Sequence, residues 1–123
     1  MIAGIGIDMI EVDRVMDKIS KNNGFREKVF SPNEIVFCES NRKAENYAAR
    51  FAAKEAFLKA TGLGLMLGYE LSMIEVVNDI NGKPYITLSG NFKIQAEQNN
   101  WNTIHLSLSH LQQVACAVVI IER

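Results

Sequence analysis

The feature that most constrains this chain is the run from Val114 to Ile121, which is apolar at every position. A strand with one wet face alternates, so an unbroken apolar run fits a central strand covered on both sides. The segment before it does alternate. In Thr103 to Ser109, Ile104, Leu106 and Leu108 face one way and His105, Ser107 and Ser109 the other. The two segments read as a hairpin with His110 to Gln113 as its turn. On the uniform strand, one face should pack on the helices of the chain. The other should turn toward a subunit interface; Cys116, Val118 and Ile120 alternate with Ala115, Ala117, Val119 and Ile121, and either set fits either face.

The rest of the chain supplies the helices and a second hairpin. Ile2 to Met9 reads as a short strand weakened by Gly4 and Gly6, where glycine often marks close backbone approach. An amphipathic helix follows over Val12 to Asn22. Val12, Val15, Met16 and Ile19 form its apolar side, Arg14, Lys18 and Lys21 lie opposite, and Asn23-Gly24 is its stop. Ser31-Pro32-Asn33-Glu34 is the clearest helix start: Ser31 as N-cap, Pro32 in the first turn, Glu34 completing a capping box, and Phe30 stapled to Ile35. That helix runs to about Asn41. A second, alanine-rich helix covers Ala44 to Thr61, with Gly62 to cap it. Leu71 to Asn78 and Pro84 to Leu88 read as strands joined through Asn81-Gly82, and Ser89 as the cap of a helix reaching about Asn99. The order strand, helices, hairpin, helix, hairpin gives an α+β class.

With 123 residues, 48% of them hydrophobic, the chain fits one compact domain over residues 1–123. A net charge of −1 argues against bulk nucleic-acid binding while leaving room for a local basic patch. No apolar run is long enough to span a bilayer, and the Met1-to-Asp8 segment lacks the basic start of a signal peptide. Cys38 and Cys116 sit in apolar patterns without metal-ligand spacing, so reduced thiols and a cytoplasmic location are expected.

Three segments carry candidate chemistry. In Arg50-Phe51-Ala52-Ala53-Lys54-Glu55-Ala56-Phe57-Leu58-Lys59, helical spacing places Glu55 between Phe51 and Leu58, in what should be a buried stripe. A carboxylate there must be paired or hold a metal; an ordinary i,i+4 pair with Lys59 is the plainer reading. Asp8 follows Ile5 and Ile7 at a strand end, where it could serve a site or cap the next helix. Two carboxylates suit magnesium better than zinc, and magnesium commonly binds through one or two carboxylates plus substrate phosphates. Asp8, Glu55 and Lys59 together thus look like a site for a metal-bound pyrophosphate, with Lys59 as the point charge. In Ser107-Leu108-Ser109-His110, the histidine is either a solvated turn residue or a phosphate donor.

Gly4-Ile5-Gly6-Ile7-Asp8 through Arg14, the Arg50-to-Phe57 segment with Lys59, and Ser107-Leu108-Ser109-His110, in this order, resemble the holo-acyl-carrier-protein synthases. The Asn81-Gly82-Lys83-Pro84-Tyr85 turn matches as well, and the resemblance covers essentially the whole chain in the short, single-repeat form. It implies a 4′-phosphopantetheinyl transferase fold, a mostly antiparallel sheet with packed helices, assembled as a homotrimer with sites between neighbouring subunits. It implies transfer of 4′-phosphopantetheine from coenzyme A to a serine of apo acyl carrier protein, dependent on Mg2+, with release of adenosine 3′,5′-bisphosphate.

Carried onto this sequence, Asp8 and Glu55 look like magnesium ligands and Lys59 like a pyrophosphate contact. Arg50, Gly62, Lys83, Pro84, Ser109 and His110 look like parts of the coenzyme A pocket. Glu55, directly or through a water, is the candidate base for the acceptor serine. Arg14, Lys18 and Lys21, joined by Arg26 and Lys28, form a local positive surface for an acidic carrier protein. Two alternatives use the same residues: a magnesium-dependent hydrolase of nucleotide pyrophosphates, and a non-catalytic trimer that binds coenzyme A.

Overall fold

A computed structural model of the chain describes residues 1–123. The elements in order are β1 (Ile2–Glu11), α1 (Val12–Ser20), α2 (Phe25–Val29), α3 (Pro32–Ser40), α4 (Lys43–Thr61), a 3-10 turn (Leu71–Met73), β2 (Ile74–Asn78), β3 (Pro84–Leu88), α5 (Gly90–Gln98), β4 (Thr103–His110) and β5 (Val114–Glu122). β1, β5 and β4 form an antiparallel sheet in that order, and β2 with β3 forms a separate antiparallel pair. The α+β class agrees with the sequence reading.

The long helix α4 lies across the inner face of β1 and β5. Ala115, Ala117, Val119 and Ile121 point at it and are essentially without exposure. On β1 the inward positions include Gly4 and Gly6. A Cβ on Gly6 would stand 2.7 Å from Ala60 N and closer still to Ala56 O, so helix and strand meet backbone to backbone. The glycines weaken a strand locally but allow α4 to settle onto the sheet. Alanines 48, 49, 52, 53, 56 and 60 are buried along that helix, keeping the gap narrow. Phe57, fully buried, meets Phe92 and Trp101 edge-on at 5.9 and 6.1 Å, which seats α5 against α4.

β5 is the central strand, as its composition predicts, but only one face is fully covered within the chain. Cys116, Val118 and Ile120 are half-buried. Beside them Ile5, Ile7 and Met9 of β1 are 58–68% exposed. Register pairs Ile5 with Ile120, Ile7 with Val118 and Met9 with Cys116, giving three apolar rows on the outer face. The rows end in His105, Ser107 and Ser109 of β4.

Local chemistry explains most element ends. At Ser31 the capping box forms in full: Ser31 Oγ accepts from Glu34 N, and Glu34 Oε1 accepts from Ser31 N at 2.9 Å. α4 stops at Gly62, whose φ of 72° is the left-handed cap expected. Elsewhere the chain departs from the sequence reading. β1 continues to Glu11, so Asp8 lies inside a strand opposite Ala117 rather than at its end. α1 stops at Ser20, and Asn22 and Gly24 take left-handed turns into the short α2, which was not expected. Leu71–Met73 winds as a 3-10 turn before β2 begins at Ile74. His110 pairs with Ala115 as the last residue of β4, leaving a tighter turn over Leu111 to Gln113.

Candidate active site at the junction of β1 and α4

The Gly-mediated contact brings the inward side chain of Asp8 to α4 near Glu55 and Lys59. Lys59 Nζ donates to Asp8 Oδ1 at 3.0 Å and to the Ile7 carbonyl at 3.1 Å. The plainer readings from sequence therefore do not hold. Lys59 reaches across to β1 rather than back to Glu55. Asp8 caps no helix either: Glu11 is the N-cap of α1, with no side-chain cap bond. Asp8 is only 15% exposed at its side chain, and Lys59 partly shields it.

Glu55 is half-buried on the same face. Burial pushes its carboxyl above the usual range, and the negative charge of Asp8 adds to the rise; Lys59 and Lys18 oppose it. Two carboxylates held this near each other repel unless a cation joins them. No third His, Cys, Asp or Glu completes a cage. An acidic pair that leaves positions open to water and phosphate oxygens fits magnesium. A depression of about 530 Å³ opens beside the pair, lined by Glu55, Leu58, Lys59, Gly62, Leu63, Gly64, Leu65 and Leu71. Its lining combines charged Glu55 and Lys59 with four leucines.

The remaining nucleotide-pocket residues fall into two further places. Arg50, buried one turn before Lys54, lies over the Phe37 ring at 4.2 Å and donates to Asn78 Oδ1, while its Nε has no partner. It lines a cavity of about 500 Å³ with Phe37, Val76, Asn78 and Gly82. The 79–83 turn behind that cavity is held by Asp79, whose Oδ1 accepts from the backbone of Asn81 and Lys83. Pro84 then opens β3 opposite Asn78. His110 and Ser109 lie elsewhere, at the end of β4. His110 Nδ1 is 3.4 Å from Glu45 Oε1 in the first turn of α4, outside hydrogen-bond geometry and otherwise unpartnered. Ser109 faces outward opposite Cys116. One chain thus joins Asp8, Glu55, Lys59 and Gly62, joins Arg50 to the 79–83 turn, and keeps His110 and Ser109 apart from both.

Of the basic residues, Arg14, Lys18 and Lys21 line one depression of about 400 Å³ floored by Ile10 and Val15. Lys18 Nζ lies 5.7 Å from the Phe25 ring and 5.6 Å from Phe51, one turn before Glu55. Arg26 is drawn aside: its guanidinium pairs with Glu27 at 2.7 Å and Glu39 at 3.4 Å.

Sequence reasoning missed the buried pair of Lys54 and Glu34, both without exposed side-chain surface and 2.8 Å apart. A signal existed: Tyr47, Phe51, Lys54 and Leu58 fall at helical spacing, so Lys54 interrupts an apolar stripe.

Comparison with known proteins gives the family. A family model described as the 4′-phosphopantetheinyl transferase superfamily matches residues 4–119. The chain is 43% identical to a holo-[acyl-carrier-protein] synthase of Cytophaga hutchinsonii over 100% of this chain and 99% of that one. It is 45% identical to the enzyme of the same name from Syntrophus aciditrophicus, over 99% and 97%. Among solved structures, a holo-(acyl-carrier-protein) synthase from Bacillus anthracis in complex with CoA (3′,5′-ADP) superposes with a TM-score of 0.80 at 37% identity, covering 98% of this chain and 96% of that one. The Neisseria meningitidis holo-[acyl-carrier-protein] synthase gives a TM-score of 0.91 at 29% identity, with both chains fully covered. The chain belongs to the 4′-phosphopantetheinyl transferase superfamily, among the holo-acyl-carrier-protein synthases.

Proposed function

We propose that this chain transfers 4′-phosphopantetheine from coenzyme A to a serine of apo acyl carrier protein, with magnesium, as a homotrimer. The observation that carries the reading is the convergence of Asp8 from β1 with Glu55 and Lys59 from α4 beside a depression. Asp8 and Glu55 would hold the metal, whose charge at the pyrophosphate lowers the cost of phosphoryl transfer. Lys59 donates to the same phosphates, adding charge where it develops on the leaving oxygen. The serine oxygen bonds to the β-phosphorus, and the bond from that phosphorus to the bridging oxygen breaks. Adenosine 3′,5′-bisphosphate departs with the electron pair. Glu55 is the candidate base, taking the serine proton directly or through a water. The leucines of the depression, Leu58, Leu63 and Leu65 among them, supply apolar contacts for the uncharged arm.

The separation of the Arg50 cavity from His110 and Ser109 supports a nucleotide pocket completed between subunits. The exposed rows of Ile5, Ile7, Met9, Cys116, Val118 and Ile120 supply a surface for that contact. Arg14, Lys18 and Lys21 supply the docking face for an acidic carrier. Incubation with apo carrier, coenzyme A and magnesium, followed by mass measurement, tests the reaction. The expected result is a carrier heavier by the phosphopantetheine arm and stoichiometric adenosine 3′,5′-bisphosphate. Release of the nucleotide without any carrier present would identify a hydrolase instead. Binding of coenzyme A without turnover would identify a non-catalytic trimer.

A further inference from the structure

Lys59 has both of its partners on β1. Its Nζ donates to Asp8 Oδ1 at 3.0 Å and to the Ile7 carbonyl at 3.1 Å. No other side chain pairs with Asp8, and no hydrogen bond or ion pair holds Glu55. The acid pair is therefore asymmetric: an ammonium answers one carboxylate and the other stands alone. The two members of the Asp8–Lys59 pair also differ in freedom. Asp8 sits in a strand opposite Ala117, with its side chain 15% exposed. Lys59 is a four-carbon stem in the last turn of α4, 56% exposed, on the wall of the depression. Lys59 can leave this pair; Asp8 cannot.

The oxygen that Lys59 holds is one that a divalent cation would need. Magnesium binds through carboxylate oxygens in a strict geometry. An ammonium on the same carboxylate competes for its lone pairs and repels the incoming cation. Lys59 also cancels part of the negative charge that would draw a metal to Asp8 and Glu55. Phosphate oxygens reverse this balance. They give the Lys59 ammonium an anionic acceptor of its own, and they fill the coordination positions that two carboxylates leave open.

We propose that Lys59 gates Asp8, holding metal affinity down until the pyrophosphate of coenzyme A draws its ammonium away, so that metal and coenzyme A bind cooperatively. The inference rests on the proposed transferase reading, in which Lys59 is otherwise only a phosphate contact. The two roles differ in what they predict. A lysine that only touches phosphate strengthens coenzyme A binding equally with and without metal. A lysine that changes partners creates coupling between the two ligands, and linkage makes that coupling reciprocal. A lysine that stays on Asp8 throughout would weaken metal binding by the same factor whether or not coenzyme A is bound, and would create no coupling either.

The test measures metal binding rather than turnover, in the full chain and with the carrier left out. Mn2+ is the probe, because the unbound ion is counted directly by electron paramagnetic resonance; its binding to free coenzyme A is measured separately and subtracted. Wild type, Lys59→Gln, Lys59→Arg and Asp8→Asn are titrated with Mn2+ alone and with Mn2+ at saturating coenzyme A, after circular dichroism has shown each to be folded. Gln keeps a donor for the Ile7 carbonyl and removes the charge; Arg keeps the charge. The expected result is that Lys59→Gln binds Mn2+ alone on the order of ten- to a hundredfold more tightly than wild type, while Lys59→Arg stays within about threefold of it. Coenzyme A should tighten Mn2+ binding by about tenfold or more in wild type and by less than about threefold in Lys59→Gln. Two results overturn the proposal: Lys59→Gln binding Mn2+ alone no more tightly than wild type, or coenzyme A tightening Mn2+ equally in both. Mn2+ affinity that Asp8→Asn leaves unchanged defeats the metal reading, and the proposal falls with it. That failure is recognised separately, because it shows in Asp8→Asn whatever Lys59→Gln does.

Discussion

Gly6→Ala puts the contact between β1 and α4 under direct stress. The new Cβ would stand 2.7 Å from Ala60 N and nearer to Ala56 O, and both neighbours are helix backbone that cannot rotate aside. Restoring ordinary contact at about 3.5 Å requires strand and helix to part by roughly 1.5 Å at Ala56 O. Overpacking of this kind costs about 1–3 kcal/mol, and a clash against rigid backbone belongs at the upper end. With an unfolding entropy of roughly 0.26 kcal/mol/K for a chain this size, 3 kcal/mol lowers the melting temperature by about 12 °C. The same displacement moves Asp8, two residues along, away from Glu55 and Lys59. Turnover should therefore fall on the order of a hundredfold even well below the new melting point. Gly64→Ala is the control for melting alone, because nothing lies within 4 Å of its added Cβ and its φ is not left-handed, while its place in the lining of the depression rules it out as a turnover control. Thermal unfolding by circular dichroism at fixed protein concentration, with turnover at low temperature, reads both effects. A melting temperature within about 3 °C of wild type for Gly6→Ala would refute the reasoning.

Three other outcomes follow from the same geometry. Burial and Asp8 raise the proton affinity of Glu55 in the folded chain, so the fold retains a proton there that the unfolded chain releases, and Glu55 costs stability as pH rises through and above the usual carboxylate range. In chelator and without coenzyme A, Glu55→Gln should melt higher than wild type at pH 7, with the gap closing toward pH 4, while its turnover is nearly abolished; a lower melting temperature at pH 7 contradicts this. Arg14→Glu with Lys18→Glu should raise carrier KM far more than coenzyme A KM, and added salt should narrow the gap to wild type, since these exposed charges are screened beyond about 8–10 Å; an unchanged carrier KM returns α1 to a solvated face. Val118→Glu places a charge in the middle row of the outer sheet face, so light scattering should show trimers giving way to smaller, inactive species, and an active variant monomer would remove the shared-site proposal.

What was legible in the sequence was chemistry that acts over a few residues. The Ser31–Glu34 box needs only a four-residue window, and the cap at Gly62 needs only a helix and a following glycine. Gly4 and Gly6 announced a close approach, although not what approaches. The acid pair was readable because a carboxylate in an apolar stripe is costly wherever the stripe lies. What was hidden depends on partners distant in sequence. Nothing near Lys54 reveals that Glu34 and two carbonyls beyond residue 70 will surround it. Those carbonyl bonds also accompany the 3-10 turn at Leu71, where a strand had been expected. Lys59 had an obvious local partner in Glu55, yet β1 offered it both a carboxylate and a carbonyl. α2 is five residues long, too short for periodicity to register.

The pairing of β1 with β5 also governs how the chain reaches this state. Ile7 sits opposite Val118, and the N-terminal amine donates to the Arg123 carbonyl at 2.8 Å. Closing a loop of about 110 residues costs about 2 kcal/mol more entropy than closing one of ten. The β4–β5 hairpin and the helical segment from α1 to α4 can form from near neighbours, but β1 can add to the sheet only after β5 is in place. Asp8 therefore gains its sheet partner Ala117 only through a contact between residues far apart in sequence. A folding intermediate that already held Glu55 and Lys59 on a formed α4 would be compact and helical and still lack half of its acid pair. The acid pair thus joins Asp8 to Glu55 across 47 residues of chain, and its formation depends on tertiary closure rather than on any local segment.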